Sequence, residues 1–509
     1  MKYYLYVLLN SYNNPNPYFF LFLYKIIIFE YIYRIKVIVY NLLIKSLFII
    51  ISILNNFHLF MVSIMIENFF KFEENNTNLR TEIIAGLTTF LAMAYILGVN
   101  PAMLSDGGMP VTSIFFSTAL ASGIACIVMG LISNYPIGLA PGMGMNALFT
   151  YTVIIAMGNS WQAALSAVFI ASILFFIITV SGIREIILNA IPLDLKLAIG
   201  AGIGFFLAFI GLKGSGIIVS NPSTIVSMGS ILSPSALLAV IGIIITLILY
   251  IRKVPAAVFV GLIVTSVIGL IFTLTGFGVG DANLPTIPAQ IISFNFDTTV
   301  FLGFLSGFGE LFSNIPNLIM ILFSMIFITF FDTTGTLIPL AQHCGFVDEE
   351  GKADGIEKAF LGDAIGGIIG ATMGTSTITA YVESATGIGL GGRTGLTAIV
   401  TGIFFLLSIF FAPIVLSLFT SSVTTCALVI VGILMIIQLK DVDWNNLIVA
   451  SSTFMTIIMM ILTYSISLGI AWGFLVYSIT SLATNNTKEL NWITWLMAII
   501  FALYIFFGL

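Results

Sequence analysis

Charge is what this chain has least of. Asp, Glu, Lys and Arg make up 8% of its 509 residues, about a third of their share in an ordinary soluble domain. A water-soluble fold of this size is excluded. Histidine is nearly absent, with only His58 and His343, so no Ser–His–Asp set for an intramembrane hydrolase can be assembled. The three cysteines, Cys126, Cys344 and Cys426, lack metal-ligand or C-x-x-C spacing and read as free thiols. No basic cluster interleaved with aromatics suggests nucleic acid, and no glycine stretch has phosphate-loop spacing. The net charge of −5 is spread over loops and identifies no partner. Neither an enzyme nor a bound metal or cofactor is expected.

What is present is apolar sequence, 59% of the chain. At about 20 residues per membrane helix, the apolar segments allow fourteen spans of an all-α polytopic membrane protein. The first seven run near 82–99, 112–132, 140–157, 160–181, 196–213, 233–251 and 255–276. A polar, nearly uncharged connection, 277–315, follows. The second seven run near 316–341, 358–371, 375–391, 394–416, 422–438, 445–463 and 465–483, and a further apolar segment, 491–508, closes the chain. The division is therefore 65–276 and 316–509, one repeat each. Residues 1–64 do not match the rest: Lys or Arg interrupts each apolar run, and no signal-peptide core or cleavage site is evident. They are read as a leader foreign to the native protein, with translation starting at Met65 or Met61; an extra anchor helix is the alternative.

Charge placement tests the count. With Arg80 and the N-terminus cytoplasmic, Arg184, Lys196, Arg252, Lys253, Lys352, Lys358, Arg393, Lys440 and Lys488 all fall inside, and Lys213 alone falls outside. This obeys the positive-inside rule. Seven spans is an odd number, so a second set of seven starts on the opposite face, giving an inverted repeat. The third span opens with IGLAPGMGMNALFTY, Ile137 to Tyr151, and the tenth contains GATMGTSTITAYVESATG, Gly370 to Gly387. Both are interrupted by glycine and rich in small polar residues, at corresponding positions. Paired broken segments of this kind mark a binding site near the membrane midplane.

Two carboxylates stand out there: Asp332 in FFDTTGTL and Glu383 beside the tenth span's break. An acid at the bilayer centre costs roughly 2.5–3.5 kcal/mol by insertion scales, so each is a functional candidate. No cation is expected within the membrane core to neutralise them, and desolvation favours the protonated form. They are the expected proton-coupling groups, Glu383 first. With the amide of Asn146 they suit a small, neutral, planar molecule with several donors and acceptors, and suit an anion poorly. Structural alternatives exist. Asp332 could bond Thr333 and Thr334, Glu383 could hold free backbone N–H groups, and Asn146 could cap a helix. Asp363 reads as an acid complementing the dipole near the start of its helix, and the run Asp348, Glu349, Glu350 as a solvated loop.

At these motifs the sequence resembles the azaguanine-like purine permeases, of the nucleobase:cation symporter-2 group in the xanthine/uracil permease superfamily. The resembling stretches are NFFKFEENNTNLRTEIIAGLTTFLAMAYILGVNPAML, APGMGMNALFTY, FFDTTGTL and GTSTITAYVESATGIGLGGRTGLTA, and the likeness extends from about residue 65 to the C-terminus. It implies a seven-plus-seven inverted repeat with a core domain, spans 1–4 and 8–11, and a gate domain, spans 5–7 and 12–14. Short strands would precede half-helices in spans 3 and 10. It implies substrate contacts at Gly144, Asn146, Asp332 and Glu383. The implied function is import of hypoxanthine, adenine or guanine across the plasma membrane by proton symport. A homodimer is carried as an expectation for the assembly. Transport of uracil, xanthine or an inorganic anion on the same fold, or purine sensing without transport, are the alternatives.

Overall fold

The computed structural model describes residues 65–182, 192–278, 280–347, 353, 355–485 and 492–507. These fall into two units. One ends at Phe69, and its described part is the helical stretch 65–69. The other begins at Phe70 and holds every element named below. The leader 1–64, Arg184, Lys352, Lys488 and the acidic run 348–350 lie outside the described residues.

In the first half, α1 (Leu79–Met93) and α2 (Ile96–Ser105) form one span, and α3 (Val111–Ser133) returns. The third span is broken: β1 (Leu139–Pro141) leads into α4 (Met143–Ala147), which continues as a π-helix, Leu148–Ala156. Next come α5 (Trp161–Val180), α6 (Leu193–Gly214), the hairpin β2 (Ile218–Asn221) and β3 (Ile225–Met228), α7 (Pro234–Ile251) and α8 (Ala257–Leu274). The second half begins with the short α9 (Phe304–Leu311) and the long α10 (Ile315–Cys344), followed by α11 (Ile356–Met373). A second broken span pairs β4 (Ile378–Ala380) with α12 (Ser384–Gly389). The chain then runs through α13 (Gly395–Ser408), α14 (Ala412–Leu418), α15 (Ser421–Ile436), α16 (Leu447–Leu462), α17 (Ile466–Ala483) and α18 (Trp492–Phe507).

Local sequence sets the helix starts. Asn78, Ser160 and Asn314 precede α1, α5 and α10, and each side chain accepts the N–H three residues on, at 3.0, 3.2 and 3.1 Å. These caps satisfy donors that the helix itself cannot. Among the described residues, ten helical stretches are long and apolar enough to cross a membrane. The other four of the fourteen expected segments are the two broken spans, the glycine-rich α11 and the 16-residue α16. The last apolar segment forms an additional helix: Phe501 of α18 is buried against Phe323 of α10 and Phe474 of α17, at 5.2 and 5.5 Å between ring centroids.

The packing repeats itself between halves. The contacts α1–α13, α3–α13, α6–α16 and α7–α8 recur, seven spans on, as α10–α5, α11–α5, α15–α7 and α16–α17. Three contacts map onto themselves: α3–α11, α6–α15 and β1–β4. A molecule built this way has a pseudo-two-fold axis through those three contacts. The strands confirm its direction, since β1 and β4 pair antiparallel with Leu139 opposite Ala380, Ala140 opposite Thr379 and Pro141 opposite Ile378. This is an inverted repeat of largely α-helical spans with short strands in the two broken ones.

Membrane helices gain no hydrophobic advantage over lipid, so close backbone approach through small residues holds them together. At the α6–α15 crossing, a Cβ on Gly204 would lie 2.7 Å from the Gly432 carbonyl oxygen, and one on Gly432 would lie 2.5 Å from that of Gly204. Gly123 and Gly402, and Gly130 and Gly395, make the same kind of contact between α3 and α13. One acid is spent on structure here. Glu82 of α1 is fully buried and accepts the N–H groups of Arg393, Thr394 and Thr397 at 2.8, 3.3 and 3.2 Å, capping α13 from outside. Gly402→Val would press a side chain on the Gly123 carbonyl, 2.6 Å from the new Cβ. It is expected to cost about 1–3 kcal/mol, read as a lowered melting temperature in detergent. Ile403→Val, at an exposed neighbour, should leave the melting temperature unchanged.

Candidate functional site

The two broken spans cross where neither can continue a helix. Around β1, Pro136 and Pro141 lack a backbone donor and Gly138 and Gly142 weaken helix, while β4 and the residue before it supply the β-branched run Thr377, Ile378 and Thr379. The ladder answers the resulting need for partners. The Gly142 N–H donates to the Thr377 carbonyl at 3.0 Å, and the Tyr381 N–H donates to that of Gly138 at 3.1 Å. The Tyr381 hydroxyl adds a bond to the Pro141 carbonyl at 2.5 Å.

Beside this crossing lies a cavity of about 510 Å³. One wall comes from Gly142 and Gly144 at the start of α4, from α10 between Ile328 and Ile338, and from Thr379 to Glu383. The facing wall comes from α6, Leu193 to Ile203, and from Val431, Leu434, Met435 and Gln438 of α15 and the turn after it. The first wall is polar and the second mainly apolar. The walls meet at Gly144, where a Cβ would sit 3.3 Å from Ile203 Cδ1.

Three of the four residues singled out in the sequence, Gly144, Asp332 and Glu383, line this cavity. Glu383 is the residue immediately before α12, and its Oε1 accepts the Tyr95 hydroxyl at 2.7 Å. Asp332 reaches over the residue immediately before α4: its Oδ2 lies 3.1 Å from where a Cβ on Gly142 would stand. Both carboxylates therefore sit at the N-terminal ends of half-helices, where backbone dipoles favour negative charge. Asn146 is placed elsewhere. It is fully buried and does not line the cavity; its side-chain oxygen accepts the Ser376 hydroxyl, tying α4 to the chain entering β4. Asn100 does the same from α2, donating to Thr375 Oγ1 at 2.9 Å and Thr118 Oγ1 at 2.6 Å.

Sequence reasoning missed three participants. Tyr95 stands in the break between α1 and α2, buried, with its hydroxyl on Glu383 and its ring 6.4 Å from that of Tyr381. Only the interruption of an apolar helix by a hydroxyl-bearing residue hinted at it. Asp363 reads from sequence as complementing a helix dipole, yet it lies two turns into α11 and is 1% exposed. Its Oδ2 accepts the Thr333 hydroxyl at 2.6 Å and its Oδ1 accepts the Ala380 N–H at 2.7 Å. One carboxylate thus fastens the residue after Asp332 to the strand leading to Glu383. Lys196, expected at the cytoplasmic end of the fifth span, stands in the first turn of α6 and lines the cavity on the wall facing the acids. Asp363→Leu should leave the Ala380 donor and the Thr333 hydroxyl unsatisfied, at about 1–3 kcal/mol for each orphaned group. Thermal unfolding of the purified protein in detergent measures that loss.

The Permease family model Xan_ur_permease matches residues 80–472. Guanine/hypoxanthine permease PbuG of Bacillus subtilis is 45% identical over 87% of this chain and 99% of that protein. Putative permease MJ0326 of Methanocaldococcus jannaschii is 44% identical over 87% and 98%, and adenine permease AdeQ of Escherichia coli 40% over 86% and 95%. Among solved structures, the transmembrane domain of the cyanobacterium bicarbonate transporter BicA aligns with a TM-score of 0.58 at 16% identity, covering 77% of this chain and 97% of that one. SLC26A9 aligns at 0.55 and 12%, covering 80% and 66%. At those identities the two structures speak for the fold alone. The match over most of the chain and the near full-length relatives decide the family: this chain belongs to the Permease family, a group of multi-pass membrane transporters rather than enzymes.

Proposed function

We propose that this protein is a secondary active transporter that imports purine nucleobases, hypoxanthine, adenine or guanine, by proton symport across the plasma membrane. The observation that carries the reading is where the two carboxylates sit. In an inverted repeat of this kind, the two half-helix N-termini converge on the cavity and could hold an anion. Here Glu383 precedes α12 and Asp332 covers the residue before α4, so each helix end already has an acid of the chain's own. A bicarbonate- or sulfate-like solute would meet two acids on that wall. A neutral, flat heterocycle can instead donate ring and exocyclic N–H groups to the carboxylates. Its face would lie on Ile203, Val431 and Met435 opposite. The relatives named as guanine/hypoxanthine and adenine permeases support the same substrate class.

In this reading Asp332 and Glu383 hold the edge of the base, and Tyr95 keeps Glu383 oriented by bonding one of its oxygens. Gly144 lets backbone approach the ring, and Asn146 acts through the fold by fixing α4 against the β4 approach. Protonation of Glu383 or Asp332 removes charge from the cavity, which favours passage of the loaded site between the two faces of the membrane. The gate is α6–α8 with α15–α17; the core is α1–α5 with α10–α14. The cavity lies between these sets, and its lining on α6 starts in the first turn, which carries Lys196. That end is cytoplasmic by charge placement.

The deciding experiment is uptake of labelled hypoxanthine, adenine and guanine into cells lacking their own purine carriers, with and without a protonophore. Concentrative uptake abolished by the protonophore is expected, and its rates rank the bases. Absence of uptake of all three by protein shown to be in the membrane would refute the reading, and uptake of bicarbonate or sulfate instead would replace it. Glu383→Gln should abolish accumulation at normal membrane abundance. Tyr95→Phe should keep transport but raise the apparent KM roughly tenfold, the lower end of the effect of losing a hydrogen bond to a charged group.

A further inference from the structure

We infer that Asp106, Tyr151, Tyr464 and Lys213 form a latch that closes the cavity from the outer side, at the end of α6 opposite Lys196. Lys213 is the lone cation that charge placement leaves on the outer side. It ends α6, the helix whose first half, Leu193 to Ile203, lines the cavity. Three residues beyond Ile203, about 4.5 Å along the axis, the same helix enters an aromatic cluster. Phe206 and Phe209 meet the ring of Tyr464 at 5.2 and 6.0 Å between centroids, edge to face. The Lys213 ammonium lies over that ring, 4.5 Å from its centroid. Tyr151, on the π-helical part of the third span, packs on Tyr464 at 5.2 Å and donates its hydroxyl to Asp106 at 2.7 Å.

The chain of contacts therefore starts on α2 and the third span and ends on α6 and the α16–α17 turn. Those are the two sets of helices that alternating access must separate, so the inference rests on the transport reading in that respect. Tyr464 itself has a left-handed backbone, φ 55°, which a bulky residue adopts only when its surroundings hold it there. The bland reading is that Lys213 complements the dipole at the end of α6 and the rings merely pack. It leaves unexplained why the cation lies on a ring that also touches the other set. Lys213 holds Tyr464 within its own set, and the ring-edge contacts that cross the boundary, Tyr151 with Tyr464 and with Phe206 at 5.2 and 6.4 Å, are weak enough to be broken once per cycle, as a latch requires and a permanent anchor does not.

The test places a reporter, Ile203→Cys, at the deepest cavity position on α6 and measures its labelling by a membrane-impermeant maleimide added outside intact cells. The native Cys126, Cys344 and Cys426 are buried, and protein without the reporter gives the background. Lys213→Met and Tyr464→Asn, the latter keeping a residue that tolerates left-handed backbone, should each raise the labelling rate roughly fivefold or more. Lys213→Arg should leave it at the parent rate, because a guanidinium also stacks on a ring. Unchanged labelling in both weakened variants overturns the latch, as does loss of folded protein in both, which would assign the cluster to packing. Purine uptake by the protein without the reporter, measured in parallel cells, separates the two claims. Latch-dependent labelling without any purine uptake would sink the substrate reading and keep the latch; intact uptake with unchanged labelling would do the reverse.

Discussion

Everything at the centre of this molecule depends on a three-residue antiparallel ladder. Two spans stop being helices at membrane depth, and backbone N–H and C=O groups there have no water to turn to. They find each other instead: β1 and β4 pair, and the Gly142–Thr377 and Tyr381–Gly138 bonds extend the match at both ends. Because the paired strands belong to corresponding spans of the two halves, this contact also fixes the pseudo-symmetry axis. The cavity and both acids are then placed by how the chain leaves the ladder.

The fold is shared with anion transporters, and the local chemistry differs. Two half-helix starts facing one cavity are a general device for holding negative charge. In this chain the charge is supplied from within, by Glu383 ahead of α12 and by Asp332 over Gly142. Asp363, behind them, joins the two acid-bearing elements through Thr333 and Ala380. Side chains rather than topology set what the cavity can accept, which is why a likeness of fold at 16% identity names no substrate.

Stability and movement are divided between different contacts. Glycine-to-backbone crossings, Gly204 with Gly432 and Gly123 with Gly402, lock helices at distances no larger residue allows. Buried carboxylates such as Glu82 and Asp363 fix chain ends by several bonds each. By contrast, around Tyr464 the two helix sets meet through the ring edges of Tyr151 on Tyr464 and Phe206, with one ammonium holding Tyr464 and one carboxylate holding Tyr151 from either side. Contacts of that size suit a boundary that must open.

The sequence by itself determined the rhythm of the apolar segments, the inverted parity and the two broken spans. Lipid makes each of these costly to hide: a charge, a proline or a glycine run at membrane depth is conspicuous against apolar sequence. For the same reason Asp332 and Glu383 could be picked out one at a time. What only the tertiary structure decided is pairing. Tyr95 and Glu383 are 288 positions apart, and nothing in the periodicity near Tyr95 says that its hydroxyl has an acid to meet. Asn146 looks like a cavity residue in its motif, but the helical turn after Gly144 rotates it into the wall against Ser376. Asp363 and Glu82 look like ordinary helix acids until the donors they cap, from distant segments, are brought to them. Composition and spacing record what each residue must avoid in a membrane; which partner satisfies it is settled by the fold.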